Sequence, residues 1–117
     1  MIGIKRVYDS SSPEDGKRFL VDRLWPRGVN KEKAQLDGWF KNVAPSNELR
    51  SWFGHDSKRW GEFKKRYFAE LDTNAEEWKA LLTIARKENI TLVYGAKDTE
   101  HNNATALMQF LKAKMQS

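Results

Sequence analysis

The sequence contains no cysteine, which excludes disulfide bonds, thiolate nucleophiles and cysteine-ligated zinc sites from this chain. Its two histidines, His55 and His101, lie far apart, and neither HxxxH nor HExxH spacing occurs, so we predict no metal site. No apolar run approaches the roughly 20 residues that a membrane-spanning helix needs. Residues 1–6 also lack the apolar stretch of a signal peptide. We therefore expect a cytoplasmic protein without membrane association.

The charge balance is mildly basic. The chain has 21 Lys and Arg residues against 16 Asp and Glu residues, which gives a formal net charge of +5. The excess is spread over both halves of the chain, and no run of like charge stands out. Such a balance permits binding to nucleic acid or to phosphorylated ligands, but it specifies neither.

The order of apolar segments predicts a single α/β domain over residues 1–117. A chain of this length, with 39% hydrophobic residues, is large enough for one hydrophobic core. Residues 2–8 are β-prone, residues 18–24 form a compact apolar run, and Ile90–Tyr94 is the clearest strand. Helical patterns fill the space between the last two strands and follow the final one. This order predicts a small, mainly parallel sheet flanked by helices.

Helix signals support this order. Residues of the types that cap helices precede the predicted helices and turns: Asn30, Ser46, Asp56 and Asn74. The pair Asn74 and Glu77 resembles a capping box. Asp98 or Thr99 can also cap the last helix, as the alternative to a role in ligand binding. Apolar residues of the longest predicted helix recur every three or four positions, which predicts one buried stripe: Trp60, Phe63, Tyr67 and Leu71.

Polar side chains suited to ligand binding are concentrated in residues 22–28, 50–56 and 97–103. In parallel α/β sheets, ligands bind beyond the carboxyl ends of the strands, and the first and third segments follow predicted strands. A helix N-terminus would add unpaired N–H groups that suit an anion, although no glycine-rich phosphate loop is present. The predicted ligand-binding residues are Asp22, Arg23, Arg27, Arg50, Lys97 and Asn102.

Imidazole and carboxylate groups supply the candidates for proton transfer. In this interpretation one histidine acts as acid or base with an aspartate as its partner. Trp52 and Phe53 would shield the histidine that follows them. The nucleophile-elbow pattern of a Ser-His-Asp triad is missing. The predicted catalytic residues are His55, Asp56, His101 and Asp98.

The same residues also fit purely structural roles. Aspartates 56 and 98 can simply cap helices, and the glycine at position 54 can end one. Arg50 can form a buried ion pair with Asp22. Arg27 can stack on an aromatic ring or pair with Asp37. All five tryptophans are better explained by packing than by ligand stacking.

A series of motifs runs along nearly the whole chain. The segment VDRLWPRG at residues 21–28 is followed by APS at residues 44–46, WFGHD at residues 52–56 and AKD at residues 96–98. This series resembles the YeaO-like proteins, a small family of unknown function. One departure is Gly95, where Ala or Ser would be expected. The resemblance implies a compact α/β domain of bacterial or archaeal origin, and it implies no particular reaction.

Three functions remain open on this basis. The first is an enzyme or binder of a small anionic ligand, of the phosphorylated kind, at the carboxyl edge of the sheet. The second is a nucleic-acid-binding or regulatory module, for which no helix-turn-helix, zinc-finger or RNA-binding signature is present. The third is a non-catalytic partner-binding domain. We favour the first, because cations and histidines fall near strand and helix ends. Neither a cofactor nor an oligomeric state is predicted.

Overall fold

A computed structural model describes residues 1–116 and places four strands and five α-helices in them. The strands are β1 (Ile2–Arg6), β2 (Lys17–Leu20), β3 (Gly38–Trp39) and β4 (Ile90–Tyr94). The helices are α1 (Lys31–Ala34), α2 (Asn47–Phe53), α3 (Trp60–Asp72), α4 (Ala75–Lys87) and α5 (Asn103–Met115). Three short 3-10 turns lie at Pro13–Asp15, Lys41–Val43 and Ser57–Arg59.

The strands form one parallel sheet in the order β1-β4-β2-β3. Strand β4 lies at its centre, with Ile90 opposite Ile2 of β1 on one side and opposite Lys17 of β2 on the other. Every residue of β4 is buried, as expected for a parallel strand covered on both faces. The predicted α/β class with a parallel sheet is confirmed.

The two faces of the sheet carry unequal cores. Leu92 and Tyr94 of β4 belong to a large cluster that includes buried residues of α2, α3, α4 and α5. Val93, which points to the opposite face, packs in a small cluster with Leu20 and Ala34. Successive side chains of a strand alternate between faces. The long helices therefore cover one face, while loops and the short α1 cover the other.

Helix α3 confirms the predicted apolar stripe. Phe63, Tyr67 and Leu71 are buried, and Trp60 packs against the same cluster while half-buried. The phenol of Tyr67 donates a hydrogen bond to the backbone oxygen of Val43. Burial raises the pKa of Tyr67 far above its ordinary value. This side chain is thus a neutral, buried link between α3 and the turn before α2.

One strand prediction is wrong in detail, and the sequence does not predict one further strand. Strand β2 ends at Leu20 rather than continuing to Leu24. The backbone N–H of Val21 still donates to the oxygen of Val93, and the chain then leaves the sheet. Strand β3, at Gly38–Trp39, was not predicted. Two residues are too few to produce an alternation of apolar and polar side chains in the sequence.

Helix caps are only partly as predicted. The expected side-chain caps form at Asn30, Ser46 and Asp56. Asn74 makes no cap bond, because its side-chain amide donates instead to the backbone oxygen of Asn42. The cap of α5 is Asn102, whose side chain accepts from the backbone N–H of Thr105, rather than Asp98 or Thr99.

A buried ion network lies under the loop between β1 and β2. Asp15 and Arg18 are 7% and 4% exposed, and the Asp15 carboxylate accepts hydrogen bonds from Arg18, Lys5 and Ser12. The hydroxyl of Thr91 on β4 donates to the Asp15 backbone oxygen. Burial alone would raise the pKa of Asp15, but the hydrogen bonds and the positive charge of Lys5 outweigh it and lower that pKa to about 2. The network fixes the loop to the central strand.

Candidate functional site

A cleft of about 480 Å³ opens at the carboxyl edge of the sheet, between the ends of β2 and β4 and the helices α2, α3 and α5. Its location follows from the topology, because parallel strands end at the same edge and their following loops diverge there. The residues that line this cleft are Asp22, Arg23, Leu24, Ala44, Pro45, Asn47, Arg50, Ser51, Phe53, His55, Phe63, Ala96, His101, Asn102 and Asn103.

All three predicted polar segments contribute to this cleft. The predicted site residues that line it are Asp22, Arg23, Arg50, His55, His101 and Asn102. Two predicted cations, Arg27 and Lys97, are exposed and are absent from the lining. Asp56 and Asp98 are also absent from it. Asp56 caps the turn that follows it by accepting from the backbone N–H of Lys58.

Asp22 occupies the junction between the two strand ends. One carboxylate oxygen accepts from the backbone N–H of Gly95 at 2.9 Å, and the other accepts from the side-chain amide of Asn103 at 3.1 Å. Burial raises the pKa of Asp22, and the donors from Asn103 and Gly95 and the nearby charge of Arg50 oppose that rise. The carboxylate is thus held by the residue that follows β4 and by the first residue of α5, at the wall of the cleft.

Trp39 supports Asp22 from the edge strand. Its indole N–H donates to the backbone oxygen of Asp22 at 2.7 Å, and its ring meets Trp25 edge to face at 5.6 Å between centroids. The side chain is 40% exposed, so Trp39 packs on Trp25 at the surface rather than in the core. Trp52 also lies outside the cleft, with the Arg66 guanidinium 4.1 Å from its ring centroid.

The two arginines of the cleft differ in how many of their guanidinium N–H groups already donate hydrogen bonds within the protein. Arg23 donates to the backbone oxygens of Ala44 and Pro45, and so ties the β2 loop to the segment before α2. Arg50 is exposed and donates to the side chain of Asn47 through one guanidinium nitrogen at 3.2 Å. It forms no hydrogen bond with Asp22, contrary to the interpretation of a buried pair. Arg50 therefore keeps most of its N–H groups available to a ligand.

His101 is oriented by a carboxylate and a tryptophan. Its Nδ1 lies 3.1 Å from an Asp98 oxygen, and its ring meets Trp60 edge to face at 5.3 Å between centroids. Asp98 also accepts from the backbone N–H groups of His101 and Glu100, and these bonds lower the pKa of Asp98. The predicted pairing of a histidine with Asp98 is present. The remaining ring nitrogen, Nε2, is left for other partners.

His55 has an unusual backbone conformation. It follows Gly54, the left-handed residue that ends α2, and itself has a φ of 58°. A non-glycine residue with positive φ is uncommon and carries a steric cost. The ring lies 6.3 Å from that of Phe53, between centroids, at the wall of the cleft. The chain therefore reverses through two left-handed residues and brings an imidazole to the wall of the cleft.

Because of this positive φ, we expect glycine to be more stabilising than alanine at position 55, the reverse of their order in a helix. We expect His55→Gly to have a free energy of unfolding about 1 kcal/mol higher than His55→Ala, because glycine tolerates positive φ. The exposed helical residue Lys65 is the control: there, glycine should be less stable than alanine by about 0.5–1 kcal/mol. Urea unfolding of the four variants measures the difference in unfolding free energy between glycine and alanine at each position. If alanine were the more stable residue at position 55, as it is expected to be at position 65, the positive φ of His55 would be contradicted.

The two asparagines at the start of α5, Asn102 and Asn103, have different hydrogen-bond partners. Asn102 is 2% exposed and donates to the backbone oxygen of Asp98 while its own oxygen caps the helix, so its amide is committed to structure. Asn103 donates to the backbone oxygen of Val21 and to Asp22. The predicted ligand residues include the first asparagine and omit the second. The adjacent pair in the sequence carries no signal of which one caps the helix.

The other lining residues that the sequence does not predict as site residues include Asn47, Ser51 and Phe63. Asn47 and Ser51 lie on α2, on the same side of the helix as Arg50, and their positions one helical turn apart would have indicated this. Phe63 lies on the buried stripe of α3 and forms part of the cleft wall. Its periodicity indicates burial but not the neighbouring cleft.

Helix α2 is anchored to α3 by a carboxylate. Glu70 accepts hydrogen bonds from both the backbone N–H and the hydroxyl of Ser46, at 2.9 and 2.6 Å. The same hydroxyl accepts from the backbone N–H of Leu49 and caps α2. The position of Arg50, one turn further along α2, therefore depends on a residue of α3.

Within residues 1–116, no group of three or more His, Cys, Asp or Glu side chains is arranged to hold a metal ion. None of the helices in that range has the length and apolar character needed to cross a bilayer.

Comparisons with known proteins agree with the motif series. A family model described as the inactive DUF488-N3 subclade matches residues 1–117. Uncharacterized protein YeaO of Escherichia coli strain K12 is 45% identical over 112 residues, covering 96% of this chain and 97% of that protein. Uncharacterized proteins Rv3073c of Mycobacterium tuberculosis strain H37Rv and Mb3100c of Mycobacterium bovis are each 36% identical over 113 residues, covering 97% of this chain and 95% of each relative. No solved structure matches the chain. Because the family model spans every residue and the relatives align almost from end to end, the chain belongs to the YeaO-like DUF488 family.

Proposed function

We propose that the cleft binds a small anionic ligand of the phosphate class. The observation that carries this proposal is the convergence of Arg50, His55 and His101, from two separate parts of the chain, on one cleft at the carboxyl edge of a parallel sheet. Guanidinium and imidazole groups are the side chains that recognise phosphate and carboxylate by charge-assisted hydrogen bonds.

The start of α5 adds to this electrostatic field. Asn102 and Asn103 bring the N-terminus of a 13-residue helix to the cleft. The first N–H groups of a helix have no intrahelical acceptor, and the aligned peptide dipoles give this end a partial positive charge. The helix end and the three cationic or titratable side chains all favour an anion at the same place.

Binding without turnover is the version of this function that we favour. The matching family is described as inactive. In the cleft, His101 has a carboxylate partner in Asp98, whereas Asp56, the predicted partner of His55, is engaged by a backbone N–H and lies 3.6 Å from Arg59. The lining residues therefore include groups that can hold an anion. In the second proposed proton-transfer pair, His55 with Asp56, the aspartate already has other partners.

The test is a thermal-unfolding series with inorganic phosphate. Ligand present at about 100 times its dissociation constant stabilises the folded state by about 2.7 kcal/mol, so the melting temperature should rise by several degrees. Arg50→Gln should abolish most of that rise, because it removes the free guanidinium of the cleft. Arg27→Gln is the matched control: it removes the same charge from an exposed position outside the cleft.

The two arginine variants separate site binding from net charge. We expect Arg27→Gln to retain the phosphate-induced rise seen in the unmodified protein. Equal losses in the two variants would mean that phosphate acts through overall charge alone. A melting temperature of the unmodified protein that does not change with phosphate would contradict the proposed function.

A further inference from the structure

The carboxylate of Asp22 is unexpected in a cleft that binds only an anion. It lines the same cleft as Arg50, His55 and His101, and a carboxylate there repels a negatively charged ligand. Donors from Gly95 and Asn103 hold both of its oxygens in place. Each carboxylate oxygen has a further acceptor position after those bonds are made. Asp22 therefore has acceptor positions that its own hydrogen bonds leave open.

The size and the walls of the cleft also exceed what a lone phosphate requires. Its volume of about 480 Å³ lies in the range of sites for organic ligands rather than single ions. Apolar surface is supplied by Phe53 and Phe63, whose rings stack at 4.4 Å between centroids, and by three smaller residues: Ala44, Pro45 and Ala96. This surface suits a carbon framework between two polar ends.

We propose that the ligand is bifunctional: an anionic group bound by Arg50 and a protonated amine bound by Asp22, joined by a short carbon framework against Phe53 and Phe63. The anionic end rests on the proposed function given above. The amine satisfies the open acceptor positions of Asp22 and cancels its charge, so the repulsion that a simple anion would meet becomes an attraction. Charge-assisted hydrogen bonds of this kind are the strong ones.

Matched ligands test this proposal on the unmodified protein. Titration calorimetry would compare inorganic phosphate, alkyl phosphates with two to four carbons, and the corresponding ω-aminoalkyl phosphates. We expect the best aminoalkyl phosphate to bind at least tenfold more tightly than the alkyl phosphate of equal length. If the alkyl phosphates bind and no amine improves affinity, the amine assignment is overturned while the anion site stands. If no phosphate compound binds, both proposals fail.

A variant pair then assigns the preference to Asp22. Asp22→Asn should lose the tenfold preference for the amine while still binding the alkyl phosphate, because it removes the negative charge and leaves Arg50 in place. Asp72→Asn is the control, since Asp72 is an exposed carboxylate outside the cleft, and it should keep the full preference. An amine preference that persists in folded Asp22→Asn would overturn the assignment. If that variant does not fold, the ligand series on the unmodified protein decides alone.

Discussion

Asp15→Asn is expected to lower the free energy of unfolding by about 3–5 kcal/mol, the cost of removing one partner from a buried ion pair. Arg18, only 4% exposed, would keep its charge with no carboxylate to balance it. The new amide would also place N–H groups against a donor from Lys5 or Ser12. Chemical denaturation at neutral pH measures the loss.

The control for this change is Asp72→Asn. Asp72 is 62% exposed and pairs with Lys114 at 3.7 Å. Exposed pairs contribute little to stability, so this variant should stay within about 0.5–1 kcal/mol of the unmodified protein. Similar losses in the two variants would mean that the Asp15 network contributes no more than a surface pair.

The same network predicts how stability depends on pH. Its hydrogen bonds hold the pKa of Asp15 at about 2, below the ordinary value of 3.8. A carboxyl group with a lowered pKa in the folded state contributes stability above its unfolded pKa and loses it as pH falls. The difference between the unmodified protein and Asp15→Asn should therefore narrow by about 2.5 kcal/mol as pH falls from 5 to below 2. A constant difference over this range would contradict the assigned pKa.

Phe63→Ala is the second change with a large expected effect, about 3–5 kcal/mol of unfolding free energy. Phe63 is 2% exposed and lies among three aromatic rings, those of Phe53, Trp60 and Tyr67. Its removal leaves a cavity beside the cleft, and the three neighbouring rings can fill that cavity only partly. Because Phe63 also lines the cleft, phosphate binding should weaken together with stability.

Phe68→Ala on the same helix is the matched control. Phe68 is half-buried and packs against Phe110 at 5.6 Å between centroids, so less apolar surface is lost and the cleft is not touched. We expect a smaller loss of stability and unchanged phosphate binding. Urea unfolding measures both losses. Equal losses of unfolding free energy would show that the aromatic cluster around Phe63 contributes no more to stability than the half-buried Phe68 does.

The sequence was informative where local chemistry decides the structure. The spacing of Phe63, Tyr67 and Leu71 predicts the buried stripe of α3, because a helix repeats every 3.6 residues whatever its partners are. Ser46 was correctly predicted as a cap because Leu49, which it binds, lies only three residues away. The sequence indicates the family because the motifs follow one another in order along nearly the whole chain.

Predictions failed where a distant partner decides the outcome. Asn74 has the sequence signature of a cap, yet a backbone oxygen 32 residues away, that of Asn42, takes its amide. Nothing in the sequence around Asp15 indicates its burial, because the hydroxyl of Thr91, which binds its backbone, lies 76 residues away. Strand β3 exists only through its pairing with β2.

The candidate site shows both kinds of outcome. The strand and helix ends in the sequence indicate which segments meet, since parallel strands share an edge. They do not indicate which way each side chain points once the loops turn. Arg50 and Arg27 therefore look equivalent in the sequence, while the structure places the first at the cleft and the second in solvent.

The position of β4 between β1 and β2 has a consequence for how the chain is made. The first two strands have no hydrogen bonds with each other, and both pair with residues 90–94. A nascent chain on the ribosome therefore cannot assemble the sheet until the last quarter of the protein has been translated. Before that point β1 has no strand partner and β2 can pair only with the two-residue β3. Transiently unpaired strand edges make a folding chain prone to aggregation.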